Sequence, residues 1–156
     1  MQEIHGNTDG IRKNTLNEMS TLYDYPIEAD EFCPIHLMEI LSAYSAAFRR
    51  EIGIYITRYG EIADIIVGRS TNIDLPDLRL RRGTGRLSMV RCIHTHPSST
   101  GELSDVDISA LKDMHFDAMC AIGVTSEGKP TSVQCAFMDP VHPNAVNISC
   151  LFCRFQ

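Results

Sequence analysis

The sequence predicts an α+β domain, an α/β three-layer arrangement in which helices flank a mixed β-sheet. Apolar residues recur at helical spacing in two stretches before residue 51 and again after residue 104. Short apolar runs bounded by turn residues account for most of the remaining chain. The predicted order is helix–helix–strand–strand–loop–strand–helix–strand–strand–strand, which favours one sheet covered by helices.

Composition and charge limit the classes of function that the chain can have. A hydrophobic content of 44% and a charged content of 22% are typical of a soluble globular protein. The net charge of −6 does not favour general attraction to nucleic acid. No apolar run approaches the roughly 18 residues of a membrane span, and the polar start contains no signal-peptide core. We therefore expect a cytoplasmic protein without a membrane partner.

The sequence predicts a helical lead-in over residues 1–33 and one compact domain over residues 34–156. Apolar spacing predicts a helix over Ile11–Tyr25, which Pro26 follows. Pro34 stands at a favourable first helical position and opens a second helix that runs to about Arg50. The buried stripe of this second helix is predicted to contain Leu37, Ile40, Leu41, Tyr44 and Phe48.

Two strands and a long connection are predicted next. Glu51–Thr57 and Glu61–Gly68 form a hairpin around Gly60, and the continuous apolar run in the second strand predicts an interior position in the sheet. The connection Arg69–Ser88 is rich in charge. It is either a solvated loop or a surface for RNA phosphates or an acidic partner, which guanidinium groups suit. The arginines that would make these contacts are Arg79, Arg81, Arg82 and Arg86, and Arg91 after the connection adds to the positive charge.

Three strands are predicted after the third helix, over Phe116–Thr125, Thr131–Met138 and Val146–Phe155. Gly123-x-x-x-x-Gly128-Lys129 imitates a phosphate-binding loop. Pro130 replaces the Ser or Thr that such a loop requires, and a strand follows in place of a helix. We therefore expect a hairpin and no nucleotide site. The apolar ending favours a chain cut from a longer protein.

The six cysteines do not form a recognisable metal or disulfide pattern. Cys33, Cys92, Cys120 and Cys135 are scattered, and we expect them to be small buried hydrophobic residues in a reducing compartment. Cys150 and Cys153 form a single C-x-x-C in a predicted strand, where the two side chains face opposite sides.

The residues that carry chemistry lie between the third predicted strand and the third helix. Met89–Ile93 reads as a short buried strand that leads into His94 and His96, and alternation along a strand directs both imidazoles to one face. Asp107 lies in the first turn of a helix that begins near Ser104. Two imidazoles and a carboxylate suit Zn²⁺ with an open fourth position for water. Such a site also needs a carboxylate general base nearby. Ser104-x-x-Asp107 also fits a capping box, which requires no metal.

His94-x-His96-Pro97, followed after six residues by Ser104-x-x-Asp107, resembles the JAMM signature of the JAB/MPN metalloprotease fold. The resemblance implies that both histidines and the aspartate bind zinc and that the serine helps to stabilise an oxyanion. It also implies an upstream glutamate as general base, and Glu51 is in that position. The alternative without a catalytic role is that Glu51 is a solvated charge at a helix–strand junction. This resemblance covers roughly residues 35–138.

A second resemblance spans nearly the whole chain. The opening Gly6-Asn7-Thr8-Asp9-Gly10-Ile11-Arg12 is similar to the start of long-form HflX-type GTPases, which are ribosome-associated and carry their GTPase domain after this region. Taken together, the resemblances imply a zinc metallopeptidase acting on an amide or isopeptide bond of a peptide or protein. The alternatives are a non-catalytic module that binds the ribosome or the downstream GTPase domain, and a structural zinc domain.

Overall fold

The computed structural model describes residues 2–28, 30–70, 90–139, 141–142 and 145–152. Within these residues, seven strands form one mixed sheet in the order β1-β3-β2-β4-β5-β6-β7. Only β1 with β3 and β4 with β5 run parallel. The strands are β1 (His5–Gly6), β2 (Ile52–Thr57), β3 (Ile62–Val67), β4 (Val90–Pro97), β5 (Ala118–Val124), β6 (Pro130–Met138) and β7 (Val146–Phe152). The predicted α+β class is confirmed.

Helices pack on both faces of the sheet. The helices in the described part are α1 (Lys13–Ser20), α2 (Ile35–Phe48) and α3 (Asp105–Asp113), with a short 3₁₀ helix over Thr21–Asp24. Helix α2 lies across β2, β4, β5 and β6, and α3 packs against β5 and β6. None of these helices combines the length and the apolar character needed to cross a membrane.

Alternation along the central strands separates the two cores. Ile52, Ile54 and Ile93 are fully buried on the face covered by α2. Tyr55 and Cys92 lie on the opposite face with residues from α3 and the following loop. Full burial of each such apolar side chain contributes about 1.5–3 kcal/mol. The cores therefore hold β2 and β4 together from both sides.

The N-terminal part differs from the prediction in two places. The α-helix ends at Ser20, because the hydroxyls of Ser20 and Thr21 donate to the carbonyls of Asn17 and Glu18 and the chain tightens into the 3₁₀ helix. Strand β1 is absent from the predicted order of elements, since two residues are too few to show a period. It pairs with β3, which therefore has neighbours on both sides, as predicted.

Two of the predicted free cysteines are bonded to each other. Cys120 and Cys135 lie directly opposite in the antiparallel pair β5–β6 and form a disulfide. The prediction that all four scattered cysteines are free thiols was therefore wrong for this pair. Cys33 and Cys92 are free cysteines, and both are buried, as expected.

Arg91 is not part of an exposed basic surface. Its guanidinium donates to the backbone carbonyls of Glu31, Phe32 and Thr57 and lies 5.2 Å from the centre of the Phe32 ring. The positive charge of Arg91 thus contacts the backbone of the domain itself. The four arginines of the partner prediction, Arg79, Arg81, Arg82 and Arg86, lie outside the described residues, as does Cys153.

The segment that imitates a phosphate-binding loop is a hairpin turn, as predicted. The Thr125 amide donates to the Lys129 carbonyl at 2.8 Å, and Gly128 takes a positive φ of 84°. Strand β6 then runs antiparallel to β5. The backbone amides are therefore not presented at a helix start, where they would bind phosphate.

Candidate metal centre

The two predicted imidazoles emerge together near the end of β4. His94 and His96 lie on the same face of this strand, and Nε2 of one ring lies 3.0 Å from Nε2 of the other. At most one of these nitrogens can carry a hydrogen at that distance. Strand β2 pairs Gly53 with His94, whose imidazole is buried.

The third group comes from the first turn of α3. The Ser104 hydroxyl accepts from the Asp107 amide at 3.2 Å, and the Ser104 amide donates to Oδ2 of Asp107 at 2.8 Å. This is the predicted capping box. It satisfies free amides at the N-terminus of α3 and holds the Asp107 carboxylate in place at the same time. The Ser104 hydroxyl also donates to Oδ2 at 2.8 Å. Oδ2 thus accepts from Ser104, and Oδ1 lies close to His94.

The three side chains form a triangle of ligand atoms. His94 Nε2 lies 3.1 Å from Oδ1 of Asp107, and His96 Nε2 lies 3.7 Å from Oδ2. Two atoms that are each about 2.1 Å from one Zn²⁺ at the tetrahedral angle are about 3.4 Å apart. The observed separations lie on both sides of this value, and all ligand atoms fall within 4.8 Å of one another. His94, His96 and Asp107 could therefore hold a metal ion.

The protonation states of this group suit metal binding. Burial alone would raise the pKa of Asp107, but the hydrogen bond and charge of His94, together with the donors of Ser104, lower it below its ordinary range. Burial lowers the pKa of His96, and the charge of His94 adds to this effect. The structure thus favours a charged carboxylate beside a neutral imidazole, which are the ligand forms of these groups.

A backbone carbonyl orients the His96 ring. Nδ1 of His96 lies 3.2 Å from the Thr100 carbonyl oxygen, which can only accept. This contact therefore places the hydrogen on Nδ1 and leaves the lone pair on Nε2, the nitrogen that faces His94 and Asp107. Metal-binding histidines in general donate their second nitrogen in this way.

Glu51 lies near the candidate metal ligands, directly before β2. Strand β2 pairs Gly53 with His94, and Glu51 stands two residues before Gly53, where alternation directs it to the same face of the sheet. Its side chain is buried, so the alternative of a solvated charge is wrong. Burial raises the pKa of Glu51 to about 7, the charge of Asp107 adds to this, and that of His94 opposes it. A carboxyl group with this pKa can both accept and release a proton near neutral pH.

Close backbone packing fixes the loop between His96 and α3. The Gly101 amide donates to the Ser132 hydroxyl at 2.9 Å, and the Leu103 amide donates to Oε1 of Gln134 at 2.8 Å. A Cβ atom on Gly123 would lie 2.5 Å from the Gly101 nitrogen and 2.7 Å from the Thr100 carbonyl carbon. Gly123 is therefore needed for the approach that brings the Thr100 carbonyl to His96.

All five residues that the sequence singled out lie at this one end of the sheet. The supporting residues Thr100 and Gly123 were not predicted, although a glycine within a strand is a known signal of close backbone approach. Comparison with protein-family models and with curated protein sequences gives no match to this chain. The metal site therefore stands on its own geometry.

Proposed function

We propose that the protein is a zinc-dependent hydrolase that cleaves amide or isopeptide bonds in a peptide or protein. The proposal rests on one observation: Glu51, with its pKa raised to about 7, lies beside the ligand triangle of His94, His96 and Asp107. A purely structural metal site has no need of a buried carboxyl group of this kind. The JAMM resemblance leads to the same assignment.

Zinc fits the donor set better than other common metals. Imidazole nitrogen is a poor ligand for Mg²⁺ and Ca²⁺, which prefer oxygen, and Zn²⁺ commonly takes nitrogen and carboxylate ligands in tetrahedral geometry. The described residues supply three ligands, which is the number that catalytic zinc sites use. A structural zinc site normally has four.

Each protein group has a separate task in this mechanism. The metal, when bound, would supply the Lewis acidity that activates water and polarises the scissile carbonyl. The Glu51 carboxylate accepts a proton from the attacking water and delivers it to the nitrogen of the leaving amine. Burial of Glu51 makes both transfers favourable near neutral pH, because its pKa lies close to the working pH.

The single hydroxyl hydrogen of Ser104 could be donated either to Asp107 or to an oxyanion of the substrate. In the structure this hydrogen is directed to Oδ2 of Asp107. Its first role is therefore to orient a metal ligand. Stabilisation of an oxyanion, as the resemblance implies, requires the hydroxyl to rotate towards substrate while it still accepts from the Asp107 amide.

Metal content gives the first test. Wild type should contain about one zinc per chain, and a His94→Ala/His96→Ala double variant should contain none. A His36→Ala/His142→Ala variant is the matched control, since it removes two exposed imidazoles that each contact one neighbouring carboxylate. The control should retain the zinc of wild type.

Hydrolysis of peptide and isopeptide substrates gives the second test. Glu51→Gln should retain zinc and lose about 10²- to 10⁴-fold in rate, the usual contribution of a general base. Absence of zinc from wild type, even after zinc is supplied, would refute the proposal. Zinc without any hydrolysis would favour the alternative of a binding module in an HflX-like GTPase.

A further inference from the structure

A chain of hydrogen bonds connects α2 to the strands of the metal centre on the face opposite to the ligands. Thr95 lies between the two histidines in β4, and its fully buried side chain points towards α2. The Ile52 amide donates to the Thr95 hydroxyl at 2.9 Å, and this hydroxyl donates to Ser45 in α2 at 2.8 Å. The Ser45 hydroxyl donates to the Arg50 carbonyl at 2.7 Å.

The two ends of this chain lie on either side of Glu51. Its preceding carbonyl, that of Arg50, accepts from Ser45, and its following amide, that of Ile52, donates to Thr95. The backbone of Glu51 itself bonds to the extension of β3, because its amide donates to the Arg69 carbonyl at 2.7 Å. Three consecutive residues are therefore held at the point where α2 ends and β2 begins.

The same hydrogen bonds link the backbone next to Glu51 to the strand that carries the two imidazoles. Thr95 shares a strand with His94 and His96, so a bond from its hydroxyl to the Ile52 amide ties the strand of the ligands to the strand start that carries Glu51. Each hydroxyl both donates and accepts, and hydrogen bonds in such chains strengthen one another. A valine at position 95 would keep the shape and lose both bonds.

We propose that Thr95 and Ser45 are positioning residues that hold the Glu51 carboxyl group over the metal ligands. This inference rests on the proposed function, in which Glu51 is the general base. In this proposal Thr95, which lies between the two histidines, acts from the face of the strand opposite to the imidazoles. Neither Thr95 nor Ser45 touches the metal ligands' side chains or a substrate in this role.

The test uses the metal-free protein labelled with ¹³C at the glutamate side-chain carboxyl carbons. The Glu51 resonance is assigned by its loss in Glu51→Gln. We expect Thr95→Val to move this resonance towards the position of exposed glutamates, and Thr95→Ser to restore it. Ser42→Ala is the matched control. It removes a buried hydroxyl one turn earlier in α2, where the Ser42 hydroxyl bonds only within its helix, to the Met38 carbonyl.

A second measurement compares the zinc-loaded proteins. We expect Thr95→Val to keep its zinc and to lose roughly 10- to 100-fold in kcat, the usual effect of changing a residue that supports a metal site from outside. Thr95→Ser and Ser42→Ala should remain within a few-fold of wild type. If Thr95→Val does not fold, Ser45→Ala interrupts the same chain at its next hydroxyl and should displace the Glu51 resonance in the same direction.

An unchanged Glu51 resonance in the variant that lacks the hydroxyl would overturn the inference, as would an equal displacement in Ser42→Ala. These outcomes are independent of metal, since the resonance is recorded without it. Failure of wild type to take up zinc would instead refute the proposed function, and the resonances would still decide whether Thr95 positions Glu51.

Discussion

Replacement of Glu51 by glutamine should stabilise the metal-free protein, and the gain should depend on pH. Burial raises the pKa of this carboxyl group from 4.5 to about 7. The folded protein therefore holds the proton more tightly than the unfolded chain does. Wild type has the full stability associated with this group below about pH 4.5 and loses it as the pH rises to about 7. Glutamine is neutral throughout and has no such loss.

The size of the effect follows from the shift. A change of about 2.5 pKa units at about 1.4 kcal/mol per unit corresponds to about 3 kcal/mol. The side chain keeps 6% of its exposure, and water that reaches the carboxylate reduces the penalty. We therefore expect the glutamine variant to gain about 1–2 kcal/mol relative to wild type between about pH 5 and about pH 8.5.

Urea unfolding in the presence of a chelator measures this difference. The unfolding free energies of the variant and of wild type are compared at about pH 5 and at about pH 8.5. Any effect of the amide that does not depend on pH cancels in this comparison. Glu61→Gln is the control, since Glu61 is an exposed carboxylate on the adjoining hairpin and its replacement should give little difference. If the difference in unfolding free energy between Glu51→Gln and wild type is the same at about pH 5 and at about pH 8.5, the carboxyl group is not held in a desolvated position.

Three further perturbations test the support of the site. Gly123→Ala should displace the carbonyl that orients His96 and lower zinc affinity by roughly 10- to 100-fold, as measured by competition with a zinc chelator. Ser104→Ala should cost about 1 kcal/mol of unfolding free energy through loss of the helix cap, and zinc affinity should fall as well. Cys120→Ala/Cys135→Ala should cost about 3 kcal/mol in urea unfolding, because the bond closes a 15-residue separation. Peptide mapping without reductant should detect the linked peptides in wild type.

Local patterns in the sequence were sufficient to find the ligands. His94 and His96 differ by two positions and therefore share a face of any strand, and Ser104 and Asp107 have the spacing of a capping box. In the structure one arrangement of Ser104 and Asp107 forms the capping box and also places Asp107 where it could bind a metal ion, so the two interpretations are compatible. These inferences need only the neighbours of each residue in the chain.

Contacts between distant residues could not be obtained in this way. The disulfide depends on the register of β5 and β6, which places Cys120 directly opposite Cys135. The contacts of Arg91 could not be predicted, because the carbonyls that it binds lie some 34–60 residues away in sequence. The burial of Glu51 likewise depends on which strand adjoins β2. Strand register is a property of the assembled sheet.

Register also explains why a group that could hold a metal ion is assembled at this end of the sheet. Alternate residues of β4 face opposite sides of the sheet. Ile93 and Thr95 face α2, while His94 and His96 face the candidate metal centre. A shift of one residue between β2 and β4 would turn both imidazoles into the apolar core and would bring Thr95 or Pro97 to the place of His96. The bond from the Ile52 amide to the Thr95 hydroxyl is available in only one register. The same contact that holds Glu51 in place thus also excludes the misaligned pairing that would destroy the site.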